Sequence, residues 1–341
     1  MSVHRLANEL AVSNDVTVFS LTSCPADARY RHVRLFPRHP WLCRNRAARL
    51  FLLPFLLNGL SFTEYDVLHL HGDDWFYFRR QVPTVRTMHG SALGEARSAT
   101  SWKRRLIQYC IYPLEHLAAR LATVTMAVGP ATANLYGVNH VTAPVPDLRH
   151  CHPGEKTAQP TVLFVGTWEG RKRGSFLFDV FTREVVRRVP DAVLYMVSDY
   201  CRAAQNVEYV RFPSDEELAA LYRKAWVFAY PSTYEGFGLS YVEAMASGTA
   251  VLCTPNDGAR YVLDESKYGV LASDNEFADQ LISLLTHPEK RVELERKGPL
   301  RARLFAPESI AAQHRELYRE AIALRHQKRV AIKHQVLSSH E

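Results

Sequence analysis

Short apolar runs and longer amphipathic stretches take turns along this chain. Runs of four or five mostly β-branched or aromatic residues stand at 16–20 (VTVFS), 67–70 (VLHL), 84–88 (TVRTM) and 124–128 (VTMAV). Each predicts a strand, and helical spacing at 2–11 and 102–121 predicts helices among them. A second series opens at 161–165 (TVLFV) and continues at 193–197 and 226–230 (WVFAY), with helices predicted at 176–188, 215–225, 239–246 and 275–286. Strands alternating with helices make a parallel sheet covered on its faces, so the chain reads as α/β. Pro144, Pro146, Pro153 and Gly154 mark a hinge between the two series. Residues 1–152 and 153–306 are therefore read as two Rossmann-like domains, followed by a basic helical segment and tail at 307–341.

With 341 residues the chain can bury two separate cores. Its 47% hydrophobic and 23% charged residues are those of a globular protein. No window holds the ~18 uncharged apolar residues of a membrane span, since the stretch 50–60 is broken by Pro54 and Asn58. Six scattered cysteines, without a Cys-x-x-Cys pair, indicate neither a zinc site nor a disulfide framework, so a cytoplasmic protein is expected. A formal charge of +7 calls for an anionic partner. The positive residues concentrate at 29–49 and at Arg97, Lys103, Arg104 and Arg105 beside Trp102, interleaved with apolar side chains. That pattern suits peripheral contact with an anionic membrane surface, and equally a solvated face with its apolar side toward the core. No nucleic-acid module is present, so nucleic acid is not the expected partner.

The chemistry concentrates at 231–251, PSTYEGFGLSYVEAMASGTAV. It reads as a strand end, a glycine turn and a helix start. Gly236 and Gly238 bracket Phe237, which lets the backbone approach a ligand and adopt conformations that a side chain forbids. The helix from Leu239 turns its first N–H groups toward that turn, a ready site for a diphosphate. Glu243, four residues on, stands ~6 Å along the axis, where a carboxylate accepts hydrogen bonds from ribose hydroxyls. Glu235 in the turn is placed to orient or stabilise a reacting sugar. By itself the Glu-x7-Glu spacing is weak, and a helix with a glycine N-terminus and two solvated glutamates is its simpler reading.

Its flanks, DEELAALYRKAWVFAYPS before and TPNDGARYVL after, extend the pattern. From about Thr161 to Glu320 the chain resembles the retaining GT-B glycosyltransferases of family 4. The resemblance implies two Rossmann-like domains with parallel sheets facing across a cleft. It also implies a nucleotide diphosphate sugar as donor, with Glu243 on the ribose. The diphosphate would lie on the N–H groups of Gly236, Phe237, Gly238 and Leu239, with cations from the turn after 161–165. In the family a Gly-Arg turn and a Lys before Gly supply those cations. Here Thr167 replaces the Arg and one residue more precedes Gly174, so the charge falls to Arg171, Lys172 and Arg173. His89, in TMHGS at 87–91, resembles the Thr-x-His segment of the family's first domain, which reaches the transferred sugar. His69 and His71 resemble an Asp-x-x-His strand end, and Glu115 with His116 a structural helix stretch. Tyr261 stands where relatives carry a glutamate, and Asp199 near where they contact the base.

In that family a first strand and a Gly-Gly loop precede the helix with which this chain opens. The expectation is a start assigned too far downstream, because omission of a central strand leaves two neighbours unpaired. The function read from the sequence is transfer of a sugar from a nucleotide diphosphate sugar to a lipid-linked or saccharide acceptor, with retention. No Asp-x-Asp motif occurs, so no metal and no cofactor are expected. The alternatives are an inactive or weak membrane-associated nucleotide-sugar-binding protein, and a GT-B sugar-nucleotide epimerase or phosphorylase.

Overall fold

A computed structural model describes residues 2–338 other than 40, 46 and 100. The chain divides into two compact units. The first comprises Met1–Ala92, Tyr109–Pro144 and Pro307–Glu341, and the second Leu93–Gln108 and Val145–Ala306.

The first unit carries strands β1 (Thr17–Ser20), β2 (Arg31–Arg34), β3 (Leu68–Leu70), β4 (Thr84–Met88), β5 (Val124–Ala127) and β6 (His140–Val141). All pair in parallel, but in two separate sheets, β1–β2 and β3–β4–β5–β6. Every residue of β4 is buried. Val85 packs with Val124 and Met126 against Leu317 and Ala321 of the terminal helix Pro307–Ser338, which closes this core. Arg86 interrupts the apolar pattern of β4 and lies buried in a close ion pair with Asp74, which also takes Arg80 at 3.0 Å. Buried charge of this kind is tolerated only when paired. Sequence reading missed β2, because RHVR is polar and largely exposed, the composition of a protected sheet edge. The basic stretch 29–49 therefore contains a strand; its Arg46 and the Cys43 side chain lie outside the described residues.

The second unit holds β7 (Thr161–Val165), β8 (Val193–Val197), β9 (Val207–Val210), β10 (Val227–Tyr230), β11 (Ala250–Cys253) and β12 (Val270–Leu271). They form one parallel sheet in the order β12–β11–β10–β7–β8–β9. From β7 the chain winds outward through β8 and β9, then returns to the other side of β7 as β10 and winds the opposite way. The reversal between β7 and β10 is where open parallel sheets hold ligands, at the carboxyl ends of the strands. The helix expected at 176–188 begins at Gly174 and contains a π turn over Phe181–Val185, which lets both end residues bury. The helix Pro288–Ala302, which packs Gly298 against Met245, was not expected, its interior Pro299 masking it. Ser214 opens the helix Asp215–Lys224 with a reciprocal cap to Glu217.

Candidate functional site

Two loops leave the carboxyl ends of the neighbouring strands β7 and β10, and their side chains meet. The β7 loop is drawn tight by Asp199, whose carboxylate accepts the Trp168 N–H at 2.7 Å; that bond holds Asp199 below the usual carboxylate range. It then makes a 3-10 turn over Gly170–Lys172, and Arg173 takes a left-handed conformation (φ 57°) to enter the next helix. A Cβ on Gly174 would come within 3.1 Å of the Trp168 backbone, a tight contact that favours glycine where this helix starts. This geometry turns Arg171 and Lys172 toward the β10 loop and Arg173 away from it.

Arg171 donates to the Tyr234 carbonyl and to Glu235 Oε1, both at 2.7 Å. Lys172 Nζ donates to the same Oε1 at 2.5 Å and to the Tyr230 hydroxyl, above whose ring it also sits. Ser232 Oγ adds a bond to Oε1 at 2.8 Å. Burial pushes the Glu235 carboxyl up, but Lys172 and Arg171 together outweigh it and hold Glu235 below its ordinary value. Burial lowers Lys172, with Glu235 opposing. The result is an ionised carboxylate that fixes two cations at one spot on the sheet. Arg173 instead forms a two-pronged pair with Asp274 at 2.7 and 2.8 Å and lies over Phe176.

The glycine turn follows directly. Phe237 is buried among Tyr261 and Phe305, so its ring anchors the turn and its backbone is what the turn presents. Gly258 N–H bonds the Glu235 carbonyl at 3.0 Å, and a Cβ there would strike the Phe237 carbonyl at 2.5 Å. Gly238 caps the helix Leu239–Ala246 at φ 95°, with no side-chain cap on its first N–H groups. A Cβ on Gly238 would meet the Tyr241 ring at 2.3 Å. Gly236 and Leu239 are half-buried beside it. Glu243 is half-buried one turn along this helix. Burial raises the Cys151 thiol to about 11, with the charges of Glu243 and Asp147 acting in the same direction.

Sequence reading did not single out Glu95, Tyr230 or Ser232. Tyr230 and Ser232 are invisible because they end an apolar strand and read as core. Glu95 reaches Arg171 Nε at 3.7 Å and Arg104 at 2.6 Å, from the helix Ala92–Ser98. Gly94 beside it lies against Tyr234, where a Cβ would come within 2.3 Å of the ring. Its neighbourhood in sequence, basic and apolar, carries no signal for this contact.

His89 belongs to the first unit. It follows the last residue of β4 and meets His71 Nδ1 at 3.0 Å. His69 is held by Tyr318 and Thr87, each at 2.7 Å, and its ring lies 3.9 Å from that of His71. His314 stands 5.5 Å from the His69 ring and bonds the Ile310 carbonyl at 2.8 Å. Burial lowers His69 and His71 strongly, and lowers His89 and His314 to about 4, with Arg86 adding its charge at His89. His89 keeps an exposed edge, and water there softens its shift. Glu115 accepts from Ala92 N–H at 2.9 Å and from the Tyr136 hydroxyl.

Residues 1–144 match the model of the family described as Glycosyltransferase Family 4, and residues 159–287 that of Glycosyl transferases group 1. The chain belongs to this glycosyltransferase family. Within the family it is 34% identical over 137 residues to a D-inositol 3-phosphate glycosyltransferase of Corynebacterium glutamicum, a match covering 39% of this chain and 32% of that one. The chain thus spans about a third of the length of that relative. A GDP-mannose:cellobiosyl-diphosphopolyprenol alpha-mannosyltransferase of Xanthomonas oryzae is 24% identical over 284 residues, covering 74% and 73% of the two chains. Among solved structures, sucrose-phosphate synthase from Thermosynechococcus elongatus has the same fold (TM-score 0.74, 22% identity, 94% and 92% covered). This member keeps the α/β architecture with parallel sheets in two Rossmann-like domains, the GT-B fold. No described helix is long and apolar enough to cross a membrane.

Proposed function

We propose that this protein transfers a sugar from a nucleotide diphosphate sugar to an acceptor hydroxyl, with retention of anomeric configuration. The observation that carries the reading is the convergence of Arg171 and Lys172 on Glu235, beside a glycine-capped helix start. Breaking the anomeric C–O bond builds negative charge on the leaving diphosphate. Cations already fixed by a buried carboxylate, with helix N–H groups beside them, stabilise that charge without reorganising during the reaction. Glu243, one turn along the same helix, is the residue we assign to the ribose hydroxyls. Family resemblance assigns His89 to the transferred sugar and lets the leaving phosphate help deprotonate the acceptor on the same face. No protein nucleophile is invoked, and no pair of carboxylates at ~5 Å of the kind used by retaining hydrolases.

On this reading Arg171 and Lys172 carry the leaving-group charge, and Arg173, committed to Asp274, shapes the turn. A lipid-linked acceptor is favoured by the Xanthomonas relative, whose name includes a diphosphopolyprenol. The experiment is transfer or donor hydrolysis with a panel of UDP- and GDP-sugars, followed by proton NMR of the anomeric signal. Turnover is expected to survive saturating EDTA. Loss of turnover with chelator and its return with magnesium or manganese would show that protein cations do not carry the charge.

A further inference from the structure

Residues Leu93–Gln108 group with the second unit, although the chain on either side of them belongs to the first. The helix Ala92–Ser98 lies on the β10 loop, and Gly94 admits it there, since a Cβ would come within 2.3 Å of the Tyr234 ring. The carbonyl of the same Tyr234 accepts from Arg171 Nη1 at 2.7 Å. One residue thus positions both the helix and the cation. Glu235 takes the Nη1 end of Arg171 at 2.7 Å, whereas Glu95 Oε1 faces Nε at 3.7 Å. The other Glu95 oxygen, Oε2, accepts from Arg104 Nη2 at 2.6 Å. Glu95 therefore stands between two cations with one oxygen for each, close on Arg104 and long on Arg171. Burial lowers Arg171, but Glu235 and then Glu95 outweigh it, so the guanidinium feels both carboxylates. The Arg104 side chain is 51% exposed and that of Glu95 26%, so a stronger anion can rearrange their contacts at small cost.

Donor and product differ in charge. In a nucleotide diphosphate sugar each phosphate carries one negative charge. When the anomeric C–O bond breaks, its electron pair stays on the terminal phosphate oxygen. The acceptor oxygen bonds the anomeric carbon, and the acceptor's proton passes to that phosphate and on to water. The freed phosphate has a second pKa of about 6, so at pH 7 it bears most of one further charge. Fixed cations hold the product more strongly than the donor for that reason, which slows its departure. We propose that Glu95 offsets this excess: it shifts wholly to Arg104 when a diphosphate takes Arg171, and from there it repels the product more than the donor. The inference rests on the diphosphate lying at Arg171, as in the function proposed above. Arg104 keeps the displaced carboxylate paired, which limits its opposition to donor entry. Glu95 touches no reacting atom and is a positioning residue, acting through the charge at Arg171.

The test uses the full chain and calorimetry without acceptor, comparing UDP with UDP-glucose and GDP with GDP-mannose. Glu95→Gln, which keeps the size and removes the charge, should tighten the nucleoside diphosphate by roughly two- to five-fold, the range for exposed pairs. The sugar ester should tighten distinctly less. Arg104→Gln should act in reverse, weakening the nucleoside diphosphate more than the ester. In the double variant the Arg104 effect should vanish, because Arg104 works only on Glu95. In donor hydrolysis by Glu95→Gln, the inhibition constant of the product should fall by the same factor and KM for the donor by less. Equal shifts for ester and product, or none, would overturn the proposal. So would an Arg104→Gln loss that persists in the double variant, since Arg104 would then act on the ligand directly. Those results leave the transfer reading standing, whereas wild-type protein that binds neither UDP nor GDP, with or without a sugar, overturns both.

Discussion

At the scale of single residues, the site rests on which cation a carboxylate holds. Glu235 gathers Arg171 and Lys172, while Asp274 takes Arg173, although the three cations are adjacent in sequence. Sequence spacing could not choose among them, because the choice is made by one left-handed residue at the end of a 3-10 turn. Glu95 adds a second carboxylate on Arg171, partly exposed and at longer range. A diphosphate arriving at Arg171 competes with that charge, so Glu95→Gln should tighten nucleoside diphosphate binding by a few-fold, within the ~0.2–1 kcal/mol that exposed pairs are worth. Calorimetry with UDP and GDP checks it, and unchanged or weaker binding argues against such competition. Glu243→Ala is expected to act in the opposite direction. Loss of hydrogen bonds from ribose to a charged acceptor should weaken the same ligands by ~1.5–3 kcal/mol. Identical affinity in a folded variant would remove Glu243 from the ribose.

Between elements, the histidines join β3 and the end of β4 to the terminal helix. His69, His71 and His314, with Tyr318, form one packed group, and Arg86 lies near enough to oppose further positive charge at His71 and His89. His314 titrates near 4 when folded, against its ordinary 6.5, so the unfolded chain binds more protons between those values. Stability therefore rises with pH across that window, is full above about 6.5, and is lost as pH falls toward 4. Thermal melts across this range should show the slope, and His314→Leu should flatten it. A wild-type melting temperature constant from pH 7 to 5 would contradict the burial of these rings as neutral groups. Elements of this kind were unequally legible in the sequence. β4, β7, β8 and the helix Leu239–Ala246 were read with their observed bounds, because each is an apolar run or carries good helix formers to a clear stop. β2, β9 and β12 were missed, being short, polar or lying at or beside sheet edges, where neighbouring strands rather than composition hold the backbone. The Glu-x7-Glu turn was legible because glycine and carboxylate spacing is local. Glu95 was not, since its contact with Arg171 spans 76 positions (171 − 95) and is made by the fold alone.

For the molecule as a whole, the positive excess meets exposed apolar rings in both units. In the first, Trp41, Phe51, Phe55 and Phe78 are exposed near Arg44, Arg49 and Arg79 in sequence; in the second, Trp102 is 69% exposed with Lys103 over its ring. If these segments engage anionic lipid, co-sedimentation with phosphatidylserine vesicles should strengthen by ~1 kcal/mol for each engaged Lys or Arg and fade as salt rises. Equal recovery with neutral vesicles, or none with either, would leave the rings as ordinary surface. A different consequence follows from the helix Pro307–Ser338, whose Leu317 and Ala321 complete the core around β4. The second unit, by contrast, is finished at Ala306. On a ribosome adding ~5–20 residues per second, the later unit in sequence can fold while the earlier one still waits for its last helix. For on the order of 15 s or more after its first strands emerge, the first unit must keep β3, β4 and β5 from other partners without its closing element. The face of the terminal helix that carries Leu317 and Ala321 is therefore the part of the first unit's core that is made last.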